Sequence, residues 1–291
     1  MSESAIEFHG RIVVVGAGKM GQAIIAGALA SGRVKPAGVL AVAPSKSHRE
    51  ALEQRFGIGT VSAAAELSAY DIGADDLVIM AVKPQIFFDV LSEVKAAAKS
   101  PLLISIAVGI STDSIERVLG RRWPVVRVMP NTPSTVGRGM ALVSAGRSAS
   151  AAQERLACEL FALFGKAVVI NENLQDAGAA LSGSGPAYFA LVIDALTRAG
   201  ITQGLTRELA QELSVQTMAG TAAMIERDDI HPEVLIDMVT SPGGTTIQAL
   251  NELEASGLRT AFVDAVDAAV YRAYELSENE RADDDENGNG E

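Results

Sequence analysis

The 291-residue chain predicts an α/β protein, a doubly wound and mostly parallel sheet followed by an all-helical segment. Three observations carry this reading. Short apolar runs alternate with helical patterns through the first half, strand signals stop after about Asn171, and a glycine-spaced turn stands directly behind the first apolar run.

The apolar runs at 12–15, 39–43, 77–81, 102–106, 125–128, 140–144 and 167–170 are the expected strands. Most lack polar alternation, as strands do when helices cover both faces of a parallel sheet. Behind the first run comes Gly16-Ala17-Gly18-Lys19-Met20-Gly21, and then a helical pattern over 22–31. In such a G-x-G-x-x-G turn the first glycine permits the tight bend, the second lets backbone approach a pyrophosphate, and the third lets the helix pack close to the strand. The free N–H groups of the helix N-terminus then face the anion. The first half is therefore read as a Rossmann-type dinucleotide-binding domain, with Gly16, Gly18, Lys19, Met20 and Gly21 as cofactor-binding candidates.

The second strand leads into Pro44-Ser45-Lys46-Ser47-His48-Arg49, with no acid before Glu50. An acid here would take the ribose 2′-hydroxyl of NAD, whereas small or basic residues suit the 2′-phosphate of NADP. Ser45 and Lys46 thus point to NADPH as the preferred cofactor, with NADH as the alternative. The third long run ends in Val82-Lys83-Pro84, where proline fixes the turn and leaves Lys83 at the ligand edge. Ala107, after the fourth, offers a small-residue wall. Asn131, between Pro130 and Pro133, offers a rigidly held donor and acceptor to cofactor or substrate.

From 172 onward the pattern is helix after helix: 186–198, 206–226, 233–239, 246–254 and 259–276. The first of these is apolar nearly all round and calls for burial on every side. The second carries Ala219, Gly220, Ala222 and Ala223, small enough for close helix approach. So much apolar helical surface is expected to dock against the first domain and against a second copy of itself. Ahead of helix 246–254, Ser241-Pro242-Gly243-Gly244-Thr245-Thr246 sets two glycines between hydroxyl residues, a concave run of N–H groups suited to a carboxylate. The plainer alternative is an ordinary N-cap by Ser241 or Thr245. Ser182-Gly183-Ser184-Gly185-Pro186 is read as an architectural helix start.

Composition excludes several classes. Of the formal net charge of −12, residues 277–291 supply half through seven acids and one base, so the body is only mildly acidic and carries no electrostatic footprint for nucleic acid or an anionic membrane. That tail is read as disordered. A lone Cys158 cannot form an internal disulfide, residues 1–10 lack a signal-peptide pattern, and no uninterrupted apolar stretch is of membrane-spanning length. The expected setting is cytoplasmic. His9, His48 and His231 have no metal-ligand spacing, so no metal is expected, and the acids are read as solvated helix surface.

Gly16–Gly21, Ala81-Val82-Lys83-Pro84, Met129-Pro130-Asn131-Thr132-Pro133, Leu181-Ser182-Gly183-Ser184-Gly185-Pro186-Ala187-Tyr188 and Ser241–Thr246 occur in an order that closely resembles the pyrroline-5-carboxylate reductase family, over residues 11–276. The first block is common to many dehydrogenases; the last two are specific. The resemblance implies a Rossmann domain over 1–171 and a helical dimerisation and substrate-binding domain over 172–277; the acidic tail over 278–291 departs from the family pattern. The resemblance implies a homodimer that assembles further into rings such as a decamer, acting in proline biosynthesis. It also implies that Ser241, Gly243, Gly244, Thr245 and Thr246 hold the substrate carboxylate, partly from the neighbouring subunit, and that Thr246 is the catalytic candidate, bonding the ring nitrogen. Val108 departs from the alanine more usual in the family, without touching this chemistry.

Two rivals fit the pattern less well. A β-hydroxyacid dehydrogenase shares the architecture but needs a lysine on a long interdomain helix, and residues 174–198 contain none. A nucleotide-sensing or scaffolding protein leaves the 241–246 loop unexplained.

Overall fold

The computed structural model describes residues 10–120 and 122–287, with side chains as far as residue 275. Residues 1–9, which include His9 and most of the segment read for a signal peptide, lie outside the described residues, as do 288–291. The chain divides into two compact units, residues 1–183 with 270–291, and residues 184–269.

The first unit opens with strand β1 (Ile12–Val15), helix α1 (Lys19–Ala30), β2 (Val39–Val42), α2 (Lys46–Phe56) and β3 (Gly59–Val61). It continues through β4 (Leu77–Met80), α3 (Phe87–Ala97), β5 (Leu102–Ser105), α4 (Thr112–Leu119) and β6 (Val125–Met129). It closes with β7 (Gly139–Ala145), α5 (Ala151–Ala162), β8 (Gly165–Val169) and α6 (Gln175–Ser182). The eight strands form one sheet in the order β3-β2-β1-β4-β5-β6-β7-β8. All neighbours pair parallel except β6 and β7.

Strand alternation sorts the apolar side chains onto two faces. Ile12, Val14, Ala41, Ile79 and Ile104 face a core closed by Ile24 and Ile25 of α1 and Phe161 of α5. Val13, Val15, Leu40, Val78 and Met80 face the other, closed by Phe87 and Leu91 of α3 and Ile115 of α4. Each expected strand is present with ends shifted by a residue or two. β3 is an addition: three residues beginning at an exposed Gly59 give no apolar run to read.

The second unit holds α7 (Gly185–Thr202), α8 (Arg207–Asp228), α9 (Pro232–Met238), α10 (Thr245–Ala255) and the start of α11 (Leu258–Asn287). Helices α7 and α8 cross closely where a Cβ on Gly200 would lie 2.9 Å from that of Ala210. Gly220, read as one of the small residues that allow close helix approach, would meet nothing within 4 Å among the described residues. Nor is α7 buried all round: Phe189 is 58% exposed and Leu191 70%, so the described residues leave this face uncovered. By length and composition the stretch Glu172–Thr202 is apolar enough to cross a membrane, with mean hydropathy 1.3, although it is not an uninterrupted apolar run of the kind expected to be lacking. A break after α6 divides it, and Glu172, Asp176, Asp194 and Arg198 interrupt it. The backbone of α11 continues as helix into the acidic residues read as a disordered tail, as far as Asn287.

Candidate active site

Because β1, β2, β4, β5 and β6 run parallel, their carboxyl ends share one edge of the sheet, where ligands of doubly wound folds bind. That edge gathers the β1–α1 turn with Gly16, Gly18, Lys19, Met20 and Gly21, then Ser45 and Lys46 after β2, Val82, Lys83 and Pro84 after β4, Ala107 after β5 and Asn131 after β6. Neighbouring backbones stay hydrogen-bonded just past the strand ends, Ala81 N–H donating to Val15 C=O (2.8 Å) and Ile106 N–H to Met80 C=O (3.1 Å).

The three glycines of the turn play separable parts. Gly16 has φ +98°, and a Cβ there would lie 2.7 Å from the Ala81 carbonyl oxygen. A Cβ on Gly21 would lie 2.3 Å from the Gly16 carbonyl oxygen, so the first turn of α1 rests directly on the loop. At Gly18, the N-cap, a Cβ would meet nothing within 4 Å, and no side chain caps the helix. The space beside Gly18 and the uncapped α1 amides are what a pyrophosphate requires, so the residues fit a dinucleotide.

At the end of β2, Ser45 caps α2 by accepting from His48 N–H at 3.4 Å. Arg49 donates to the carbonyls of Ala43 (2.9 Å) and Pro44 (2.7 Å) and so stiffens the loop. Lys46 stands exposed, 3.9 Å from Glu50. Val82 crowds Gly16, its Cγ1 2.9 Å from where a Cβ would sit, and Lys83 precedes the 3₁₀ turn Pro84–Ile86 with its side chain exposed. Asn131 is buried, and its amide is engaged within the unit: Nδ2 donates to Ser182 C=O (2.8 Å) and Oδ1 accepts from Met140 N–H (2.9 Å).

In the second unit, Gly243 has φ +69° and Gly244 N–H donates to Ser241 C=O at 3.0 Å, folding 241–246 into a tight turn. Gly244, not Ser241 or Thr245, is the N-cap of α10, and no side chain caps it. The ordinary side-chain cap is thereby absent, and the first amides of α10, beginning with Thr245 and Thr246, have no such competitor for an anion.

A group that sequence reasoning misses lies behind this edge. Arg127, its side chain only 7% exposed in mid-β6, pairs with Glu172 (3.6 Å) and Asp176 (3.1 Å). Glu172 in turn accepts from the Thr112 N–H (2.7 Å) at the start of α4. Glu172 and Asp176 are thus not the solvated acids that the helical pattern suggests; the readable signal is an arginine inside an apolar strand, which in a covered sheet must find carboxylates. Gln175 is fully buried, donating to Ser144 Oγ at 2.9 Å.

Family models match both parts of the chain. Residues 11–109 match the family described as NADP oxidoreductase, coenzyme F420-dependent, and residues 172–276 match pyrroline-5-carboxylate reductase dimerisation. The pyrroline-5-carboxylate reductase of Arabidopsis thaliana is 38% identical, covering 92% of this chain and 96% of that protein. That of Escherichia coli is 36% identical over 92% and 98%. The chain belongs to the pyrroline-5-carboxylate reductase family. Solved structures agree: a pyrroline-5-carboxylate reductase from Coxiella burnetii superposes with a TM-score of 0.84 at 36% identity, covering 92% of this chain and 98% of that one. Plasmodium falciparum pyrroline carboxylate reductase with NADP bound gives 0.81 at 31%, over 93% and 99%. A prephenate dehydrogenase from A. aeolicus, at 11% identity and 0.54, shares the fold alone.

In this pyrroline-5-carboxylate reductase family member, the exposed apolar face of α7 falls inside the segment matched to the dimerisation family. Burial, with Glu154 and Glu159 nearby, pushes the Cys158 thiol above its ordinary range, away from reactivity. Among the described residues no group of three or more His, Cys, Asp or Glu could hold a metal ion.

Proposed function

We propose that this protein is an NADPH-preferring pyrroline-5-carboxylate reductase that closes proline biosynthesis. The observation that carries the reading is the pairing, in one chain, of a dinucleotide-shaped glycine turn with a second uncapped helix start at 241–246. The first suits a pyrophosphate, the second a carboxylate.

Gly16, Gly18, Lys19, Met20 and Gly21 would hold the pyrophosphate, Ser45 and Lys46 the 2′-phosphate, and Val82, Lys83, Pro84, Ala107 and the main chain at Asn131 would line the nicotinamide end. Bound there, the cofactor supplies the hydride that reduces the C=N bond of 1-pyrroline-5-carboxylate to L-proline. Ser241, Gly243, Gly244 and Thr245 grip the carboxylate through main-chain amides and hydroxyls, and Thr246 orients the ring nitrogen. A protonated imine is already electrophilic, so positioning can carry the rate without a dedicated strong acid. NADPH preference rests on the acid-free stretch between β2 and Glu50, with Lys46 and Ser45 at its head.

The resemblance and the uncovered apolar helices support a homodimer, with further assembly into a ring such as a decamer. The unpaired Cys158 fits a reducing, cytoplasmic setting.

NADPH oxidation is expected to require pyrroline-5-carboxylate and to ignore a panel of hydroxyacids; turnover of a hydroxyacid alone overturns the reading. Thr246→Ala is expected to lower kcat by about 10²-fold, the scale of one lost transition-state contact, while leaving the NADPH Kd nearly unchanged. Undiminished kcat would remove Thr246 from the mechanism.

A further inference from the structure

The carbonyl of Ser182 poses a hydrogen-bonding problem that its own helix cannot solve. Were α6 to continue, Ser182 C=O would accept from the N–H four residues on, but that residue is Pro186, which has none. The chain breaks instead at Gly183 and Ser184, and α7 restarts at Gly185. The orphaned carbonyl is filled from 51 residues away, by Asn131 Nδ2 at 2.8 Å. The same side chain accepts from Met140 N–H, so it is clamped from both ends. Gly183 is held just as tightly: a Cβ there would lie 2.8 Å from the Ala179 carbonyl oxygen and 3.2 Å from Met129 Cε. Gly183 is also the last residue of the first compact unit before the chain enters the second.

We infer that Asn131 is a positioning residue: its side chain sets the break that follows α6, beside the cofactor edge, instead of gripping the cofactor. The inference rests on the proposed reductase activity, because its effect is read as imine-dependent NADPH oxidation. Loss of the bond leaves Ser182 C=O unsatisfied and the break free to adopt other geometries. Hydride transfer, which depends on alignment at the ångström scale, suffers before cofactor binding does.

Asn131→Asp isolates the bond, since a carboxylate still accepts from Met140 N–H but cannot donate to Ser182 C=O. In the full-length enzyme, N131D and Asn131→Ala are expected to lower kcat/KM for pyrroline-5-carboxylate by roughly 10–100-fold, the scale of a 1 Å misplacement, with the NADPH Kd within about twofold. Pro186→Ala restores an N–H at position 186 and supplies the second arm. In its background N131A should cost at least about threefold less than in wild type, the signature of two groups serving one acceptor. A weakening of NADPH binding that matches the loss of kcat/KM would make Asn131 a cofactor contact and overturn the inference; so would an N131A loss indifferent to Pro186→Ala. Should N131A fail to fold, N131D measured with and without Pro186→Ala separates the same outcomes. Wild-type protein without imine-dependent NADPH oxidation would sink the reductase reading, which is a separate result.

Discussion

Gly18 and Gly21 sit three residues apart in one motif, yet the structure separates a ligand-facing role from a packing role. Gly18→Ala puts a methyl into space that only a bound molecule would contest, so its thermal midpoint should stay within about 2 °C of wild type while the NADPH Kd rises about tenfold. Gly21→Ala drives a methyl into the Gly16 carbonyl and should cost on the order of 1–3 kcal/mol of stability, as overpacking does. Thermal melts beside fluorescence titrations with NADPH test both; equal melting losses would erase the distinction. The motif's spacing makes these glycines legible in sequence. Asn131 is legible only as an asparagine stiffened by two prolines, because its partner Ser182 lies across the fold and no local pattern could name it.

At the scale of elements, the strands can be read because each is a short apolar run, whereas β3 cannot because it is a half-exposed edge. The antiparallel turn of β7 is equally invisible to hydropathy, which is the same for either direction. Arg127 shows the cost of reading acids by helix face alone. Glu172 and Asp176 hold the segment leading into α6 onto β6, and Glu172 also satisfies the start of α4. Arg127→Met should therefore destabilise the protein by about 3 kcal/mol, at the low end for a broken buried pair because Asp176 is 39% exposed. Denaturant unfolding would check this, and a loss below about 0.5 kcal/mol would mean that water already screens the group.

For the whole molecule, the decisive feature is apolar helix surface that the chain leaves uncovered at Phe189, Leu191, Leu196, Leu213 and Val263. Sequence reasoning anticipates such surface and its need for a partner, but not that a Cβ at Gly220 would meet nothing within 4 Å among the described residues. Wild-type protein is expected to sediment as a dimer or larger, and Leu191→Glu to shift it toward monomer with loss of turnover. A fully active monomeric variant would show that the substrate site needs no second copy. Direction of travel in the sheet has one last effect. The reversal at β7 sends β8 away from the ligand-binding rim, so α6 must retrace the sheet from Gln175, beside Ser144, to Ser182, beside Asn131. Residues inserted ahead of α6 would merely lengthen a detour, whereas a single residue added between Ser182 and Pro186 would put an N–H, in place of the proline, four residues beyond the Ser182 carbonyl.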